Sequence, residues 1–367
     1  MSSHRSLGSA TFIHSMLLAA ALGISGGAAA QQQAFRDPLD HPAALASHAD
    51  MRPVMAVAQA GDRLVAVGLR GLVVVSADGG TSWTQATVPV QSDLLAVHFP
   101  VPNIGWIVGH DGVVLRSDDG GRSWVKQLDV RSAGVAFRKY YQARAASGDA
   151  AATTALKQVE RNFKEGTALP YLDVWFENQN KGYAVGSYGL LIATSDGGKT
   201  WTPWFDRIDN DQLNLNSVRG INGELMIAGE QGRLYRLDRE KERFTATNTG
   251  YAGSFFGLAG NAHVTLAFGL RGAVYRSDTK GLEWQEVATP SEASIAAGSV
   301  DPSSSRFLLA NAAGQVLIGD VDGRHFTVLQ PHKHMRLTSL LPRVDGSLVL
   351  GGLGGVAVEK ILPTVGR

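Results

Sequence analysis

The sequence predicts an all-β fold: a seven-bladed β-propeller of four-stranded antiparallel blades, with a helical insertion between blades 2 and 3. Three observations carry this. First, a skeleton of G-x-x-G, a short apolar strand and S-x-D-G-G-x-S-W runs from Gly109 to Trp124 and returns at Gly68 to Trp83 and Gly186 to Trp201. Worn copies follow, pairing Gly229 and Gly232 with Phe244, Gly269 and Gly272 with Trp284, and Asn311 and Gly314 with Phe326, before a last copy begins at Gly351 and Gly354. Second, the later glycine of each pair falls at 71, 112, 189, 232, 272, 314 and 354, in steps of 41, 77, 43, 40, 42 and 40. A fixed period of this size marks a repeat array, and the one oversized step marks an insertion. Third, each repeat holds four short apolar pieces between glycine turns, in the second copy Leu94–Phe99, Gly105–Val108, Val113–Ser117 and Trp124–Leu128. Such pieces make a meander, and seven four-stranded meanders make a propeller.

Composition agrees. The chain has 367 residues, 44% of them hydrophobic and 18% charged, with 43 glycines and no cysteine. A disulfide framework and thiolate chemistry are therefore excluded. Residues 1–30 read as a secretory signal: Arg5, an apolar stretch from Phe12 to Ile24, then Ala28-Ala29-Ala30 before Gln31. The mature chain is then 31–367, a periplasmic propeller without a later membrane span. The segment carries one base and no acid, so its removal takes the formal charge from +1 to 0. A neutral chain gives no argument for nucleic acid.

In the last copy Leu337–Leu341, Ser347–Leu350 and Val356–Glu359 are strand-like, and no aromatic outer strand follows. The stretch from Phe35 to Leu45 is expected to supply it and so remove an open sheet edge. At each S-x-D-G-G turn the paired glycines supply positive φ, and the aspartate and hydroxyls bond the turn's own backbone. Asp78, Asp119 and Asp196 are therefore expected to staple turns, and Trp83, Trp124 and Trp201 to pack between blades. The alternating acidic ligands of a calcium loop are missing, and no metal or other cofactor is expected.

These repeats resemble the Asp-box, or BNR-like, repeats of sialidase-type propellers. The even spacing, the G-x-x-G steps and the seven units are more similar to the photosystem II stability and assembly factor family. That resemblance covers about residues 51–360. It implies a non-enzymatic helper, exported to the thylakoid lumen or the periplasm, that binds membrane-protein subunits during assembly. The insertion at 131–170 reads as a departure from the family pattern.

Topology predicts where binding occurs. In a four-stranded blade, the turn between strands two and three shares a face with the blade-to-blade connection. The G-x-x-G turns therefore form one mouth, where Arg70, His110, Asp111, Tyr188, Glu230 and Arg271 converge as a partner-binding set. The 131–170 insertion is a blade-to-blade connection and emerges on the same face. Phe137, Tyr140, Tyr141 and Arg144 share helical spacing, as do Leu156, Val159 and Phe163. Gly148 and Asp149 break the stretch into two helices. Tyr140, Tyr141 and Tyr188 are the expected aromatic anchors for a monomeric propeller's protein partner, a membrane-protein subunit or envelope complex.

Rival readings use the same residues. A sialidase could draw on Arg70 and Arg271 for a carboxylate, Tyr188 with Glu230 as nucleophile and base, and Asp111 as acid. It needs three arginines and an early arginine motif, and the sequence offers neither. An accessory protein of a resistance-nodulation-type exporter is a further alternative. A metal site at His332, His334 and His110 is less favoured, because the first two follow Pro331 in a loop without a nearby carboxylate.

Overall fold

The computed structural model describes residues 36–164, 167–209 and 211–360. The expected signal segment and Phe35 lie outside the described residues.

Seven antiparallel sheets follow one another along the chain. Their inner strands are Val54–Ala60, Leu94–Val101, Tyr171–Phe176, Leu215–Ile221, Phe255–Gly260, Ile295–Val300 and Leu337–Pro342. Blades 1 to 6 have four strands in sequence order, and blade 7 has three among the described residues. Register shifts once near the start of every inner strand, as between Val54 and Ala56 or Leu215 and Ser217. Such a bulge bends a strand as it enters a sheet. The residue at the shift can then reach sideways: Asn216 Nδ2 donates to Phe255 O at 2.8 Å, and Thr338 Oγ1 donates to Val54 O at 2.6 Å. The second bond joins blade 7 to blade 1.

The core is a ring of separate apolar layers, each between two neighbouring blades. Alternation explains it: along the second strands almost every residue is buried, one face against each neighbour. The layer of Val54, Leu64, Val74, Val349 and Val356 closes the ring between blades 7 and 1.

The expected outer strand of blade 7 is not made by the chain up to Leu45. Pro38–Asp40 and Ala49–Met51 are 3-10 turns instead. Leu39 is buried with Val88 and Trp124 of blades 1 and 2, and Gln85 clasps the backbone of Ala44 and Ala46. This segment meets blade 7 where residues 50–51 crowd Gly355 and Ala49 packs against the layer of Val349 and Val356. The physical reason is partly local and partly tertiary. Pro38 and Pro42 deprive the stretch of two ladder donors, and Leu39 finds an apolar slot beside blade 1 first.

The insertion is a helical hairpin, α1 at Val130–Ala146 and α2 at Ala150–Asn162. Asp129 caps α1, accepting from the N–H groups of Arg131 and Ser132 at 3.0 and 2.9 Å, while Ser132 Oγ accepts from Asp129 N. Asp149 caps α2 through Ala152 N. Gly148, at φ 90°, makes the bend between them. Among the described residues no helix is long and apolar enough to cross a membrane.

Candidate functional site

The G-x-x-G turns and the hairpin do share one face. Gln158 Nε2 and Asn162 Nδ2 of α2 both donate to Tyr188 O at 3.1 Å. The first residue of α1, Val130, lies against Gly112 of the His110 turn.

The turns of blades 1 to 5 are built the same way. In blade 2 a side chain on Gly109 would collide with the carbonyl of Asp93, which explains the first glycine. The second, Gly71 in blade 1, has φ 74° and lies against Val90 O. Between them, the second middle residue is left-handed without being glycine: Arg70 (φ 58°), Asp111 (58°), Tyr188 (52°), Gln231 (54°) and Arg271 (56°). For residues other than glycine this conformation costs about 1–2 kcal/mol each.

The next blade partly offsets that strain. Arg70 N donates to Asp93 Oδ1 at 2.8 Å, Tyr188 N to Asn214 Oδ1 at 2.9 Å and Arg271 N to Ser294 Oγ at 3.2 Å. The three acceptors stand immediately before the inner strands of blades 2, 4 and 6. Sequence reasoning missed them. The available signal was a polar residue one step ahead of an apolar strand, repeated at Asp93-Leu94, Asn214-Leu215 and Ser294-Ile295.

The mouth residues differ in freedom. Tyr188 is 56% exposed, and Arg70, Arg271 and His110 are exposed. Asp111 is held by Ser92 Oγ at 2.6 Å. Glu230 accepts from Asn214 N at 2.8 Å and Asn214 Nδ2 at 3.1 Å. Among the described residues the Tyr188 hydroxyl makes no hydrogen bond to Glu230, so the pairing of nucleophile and base that a sialidase needs is not formed. Leu69, Leu270 and Leu353 add exposed apolar surface at the same turns.

Two expected anchors are corrected. Tyr141 is fully buried, its hydroxyl donating to Asp206 at 2.8 Å and accepting from Phe205 N at 3.0 Å. Burial, then the Asp206 carboxylate, holds that hydroxyl far above the usual tyrosine range. Tyr140 is half-buried under the Arg144 guanidinium and accepts from Arg144 Nη1 at 3.2 Å. Arg144 in turn reaches Asp149 and Asp206 at 2.6 Å each. Helical spacing found the right residues but the wrong face: this stripe pins the hairpin to blade 3. The outward face instead carries Arg138, Lys139, Lys157, Arg161 and Lys164, none ion-paired among the described residues.

The S-x-D-G-G turns occupy the opposite face, between strands three and four. Asp119 accepts from Ser117 Oγ, Arg122 N, Ser123 N and Ser123 Oγ at 2.7 to 3.0 Å. Asp196 repeats the pattern with Thr194 and Thr200. Bonds from the Ser82 hydroxyl, the Ser82 N–H and Ser76 hold the Asp78 carboxyl far below its usual range. Trp124 and Trp201 are buried, and Trp83 packs against the layer between blades 7 and 1. These residues hold turns and blades together.

A cavity of about 180 Å³ among the inner strands is lined mostly by apolar residues. Asp173 of blade 3 and Arg219 of blade 4 form an ion pair there, and Asp173 also accepts from Ser217 Oγ and Val218 N. Nearby, His98 stacks on Trp175, and its Nδ1 accepts from Phe176 N at 3.1 Å. Burial, helped by the Arg219 charge, pushes His98 down to about 3.

Fold and site together define a seven-bladed propeller that presents strained, exposed side chains on one face and hydrogen-bonded structural turns on the other. A family model described as "Photosynthesis system II assembly factor YCF48" matches residues 55–140 and 149–335. The chain belongs to that family. The match runs through most of both helices and breaks only at 141–148, so the hairpin is less of a departure than its length suggests. Similar solved structures include "YCF48 bound to D1 peptide", at 15% identity over 85% of this chain and 94% of that one, TM-score 0.62. YCF48 from Cyanidioschyzon merolae has 15% identity over 86% and 97%, TM-score 0.61. The WD40 β-propeller domain of Doa1 has 10% identity over 88% and 96%, TM-score 0.60. At such identities the likeness shows the fold alone. No curated protein matches this chain.

Proposed function

We propose that this protein is an exported, non-enzymatic assembly helper that binds an acidic, partly apolar segment of a membrane-protein subunit. The binding surface is the G-x-x-G mouth and the outward face of the hairpin. The observation that carries this reading is the retention of Arg70, Tyr188 and Arg271 at left-handed positions where glycine would be free of strain. A long side chain kept at such a position points to a use outside the fold. The exposed arginines and the hairpin's unpaired cations suit carboxylates, and Tyr188 with Leu69 and Leu270 suits an apolar anchor. Membership of the YCF48 family supports the assembly role, and the D1 peptide held by one structural relative supports a membrane-subunit partner. Export rests on the composition of residues 1–30.

The test is recovery of membrane proteins from detergent-solubilised host membranes on tagged protein. A specific subunit should be retained by the natural chain and reduced at least about tenfold by Arg70→Ala with Arg271→Ala, or by Tyr188→Ala. Equal recovery by all variants sinks the mouth as the site.

A further inference from the structure

On the face opposite the mouth, between the S-x-D-G-G turns of blades 1 and 2, lies a cavity of about 470 Å³. Its size falls among those of small-molecule sites. Val75 and Ala86 give it a buried apolar floor, and Ser82, Thr84 and Gln85 give it a polar rim. Two arginines enter it from different blades. Arg122 Nε donates to Asp119 O at 3.1 Å, and Arg63 Nη1 lies 3.5 Å from the same oxygen. Two guanidiniums thus converge on one carbonyl, and neither forms an ion pair among the described residues.

Like charges brought together in a cleft repel unless an anion joins them. The Asp119 carboxylate is not that anion, because it is consumed by Ser117, Ser123 and Arg122 N. Asp78 also lines the cavity, and its carboxylate is likewise consumed by Ser76 and Ser82. Neither carboxylate comes within ion-pairing distance of either guanidinium among the described residues, so the fork of the two guanidiniums is left open to a small anion. We propose that the cavity binds a monocarboxylate with a small apolar body. Its head group would lie in the fork of Arg63 and Arg122, and its body on Val75 and Ala86. A dianion such as phosphate would face Asp78 with excess charge and find no use for the apolar floor. This site stands apart from the mouth and does not depend on what the mouth binds.

The test is calorimetric titration of the full chain with benzoate, with benzamide as its uncharged counterpart and inorganic phosphate as the small dianion. Benzoate should bind at millimolar concentration or better, and benzamide should be at least about tenfold weaker. Arg63→Gln and Arg122→Gln should each weaken benzoate by a similar factor. Arg122 is exposed, and its backbone N–H keeps its bond to Asp119, so the box stays formed. Thr84→Trp, on the exposed rim, should block the cavity while leaving both arginines in place. The proposal fails if benzoate binds neither measurably nor better than benzamide, if both arginine variants bind it unchanged, or if phosphate binds more tightly.

Discussion

The backbone N–H of Tyr188 donates to the side-chain oxygen of Asn214, 2.9 Å away and on the next blade. Asn214 also donates to Glu230 from both its backbone and its amide. One residue therefore fixes two mouth turns. Asn214→Ala should destabilise the protein by about 1–2 kcal/mol in urea unfolding. Asn214→Asp keeps the acceptor but sets a carboxylate against Glu230. Like charges raise the folded-state pKa, so the folded state binds more protons than the unfolded one. Relative to the natural protein, this variant should gain stability as pH falls from 7 towards 4.5. A flat difference across that range would show that the two groups do not face each other.

Tyr188→Gly, Arg70→Gly and Arg271→Gly should each be neutral or stabilising, by up to about 1 kcal/mol. Relief of left-handed strain, about 1–2 kcal/mol, outweighs the extra unfolded-state entropy of glycine, about 0.5–1 kcal/mol. The same variants should lose the membrane partner. Thermal melts beside the recovery experiment check both, and opposite signs of the two effects would separate function from folding.

His98 makes stability depend on pH in a window of its own. Its folded pKa, about 3, lies below the ordinary 6.5, so the unfolded state takes up a proton first as pH falls. The stability His98 contributes is complete above 6.5 and declines from there towards 3. The slope is at most about 1.4 kcal/mol per pH unit, and less here because the ring keeps some exposed surface. His98→Gln should flatten stability between pH 6.5 and 4.5 in denaturant titrations. An unchanged profile would mean that water already reaches the ring.

Asp119→Ala removes four acceptor contacts from one box and should cost about 1–2 kcal/mol, as loss of a capping side chain does. Depressed carboxyl pKa values at Asp78, Asp119 and Asp196 mean that box stability is present above their ordinary 3.8 and lost below it. The acid loss measured below pH 4 should therefore shrink in Asp119→Ala. The loss between pH 6.5 and 4.5, which belongs to His98, should remain.

Sequence by itself determined the repeat, and through it the blade count, the meander, the box chemistry and the face on which the insertion emerges. These follow from local rules: glycine at positive φ, a hydroxyl and a carboxylate within five residues, apolar runs of strand length, and the up-and-down alternation of a four-stranded blade. Only the tertiary structure decided which polar and aromatic groups stay free. Tyr140 and Tyr141 share helical spacing with Phe137, but spacing does not say whether that stripe meets a partner or blade 3, and Phe205 with Asp206 was there to receive it. The path of residues 36–51 was likewise settled by a slot for Leu39 that exists only once blades 1 and 2 are packed. Burial is a property of surfaces brought together from distant parts of the chain. A pattern within one segment records which face is apolar, and the rest of the molecule chooses what covers it.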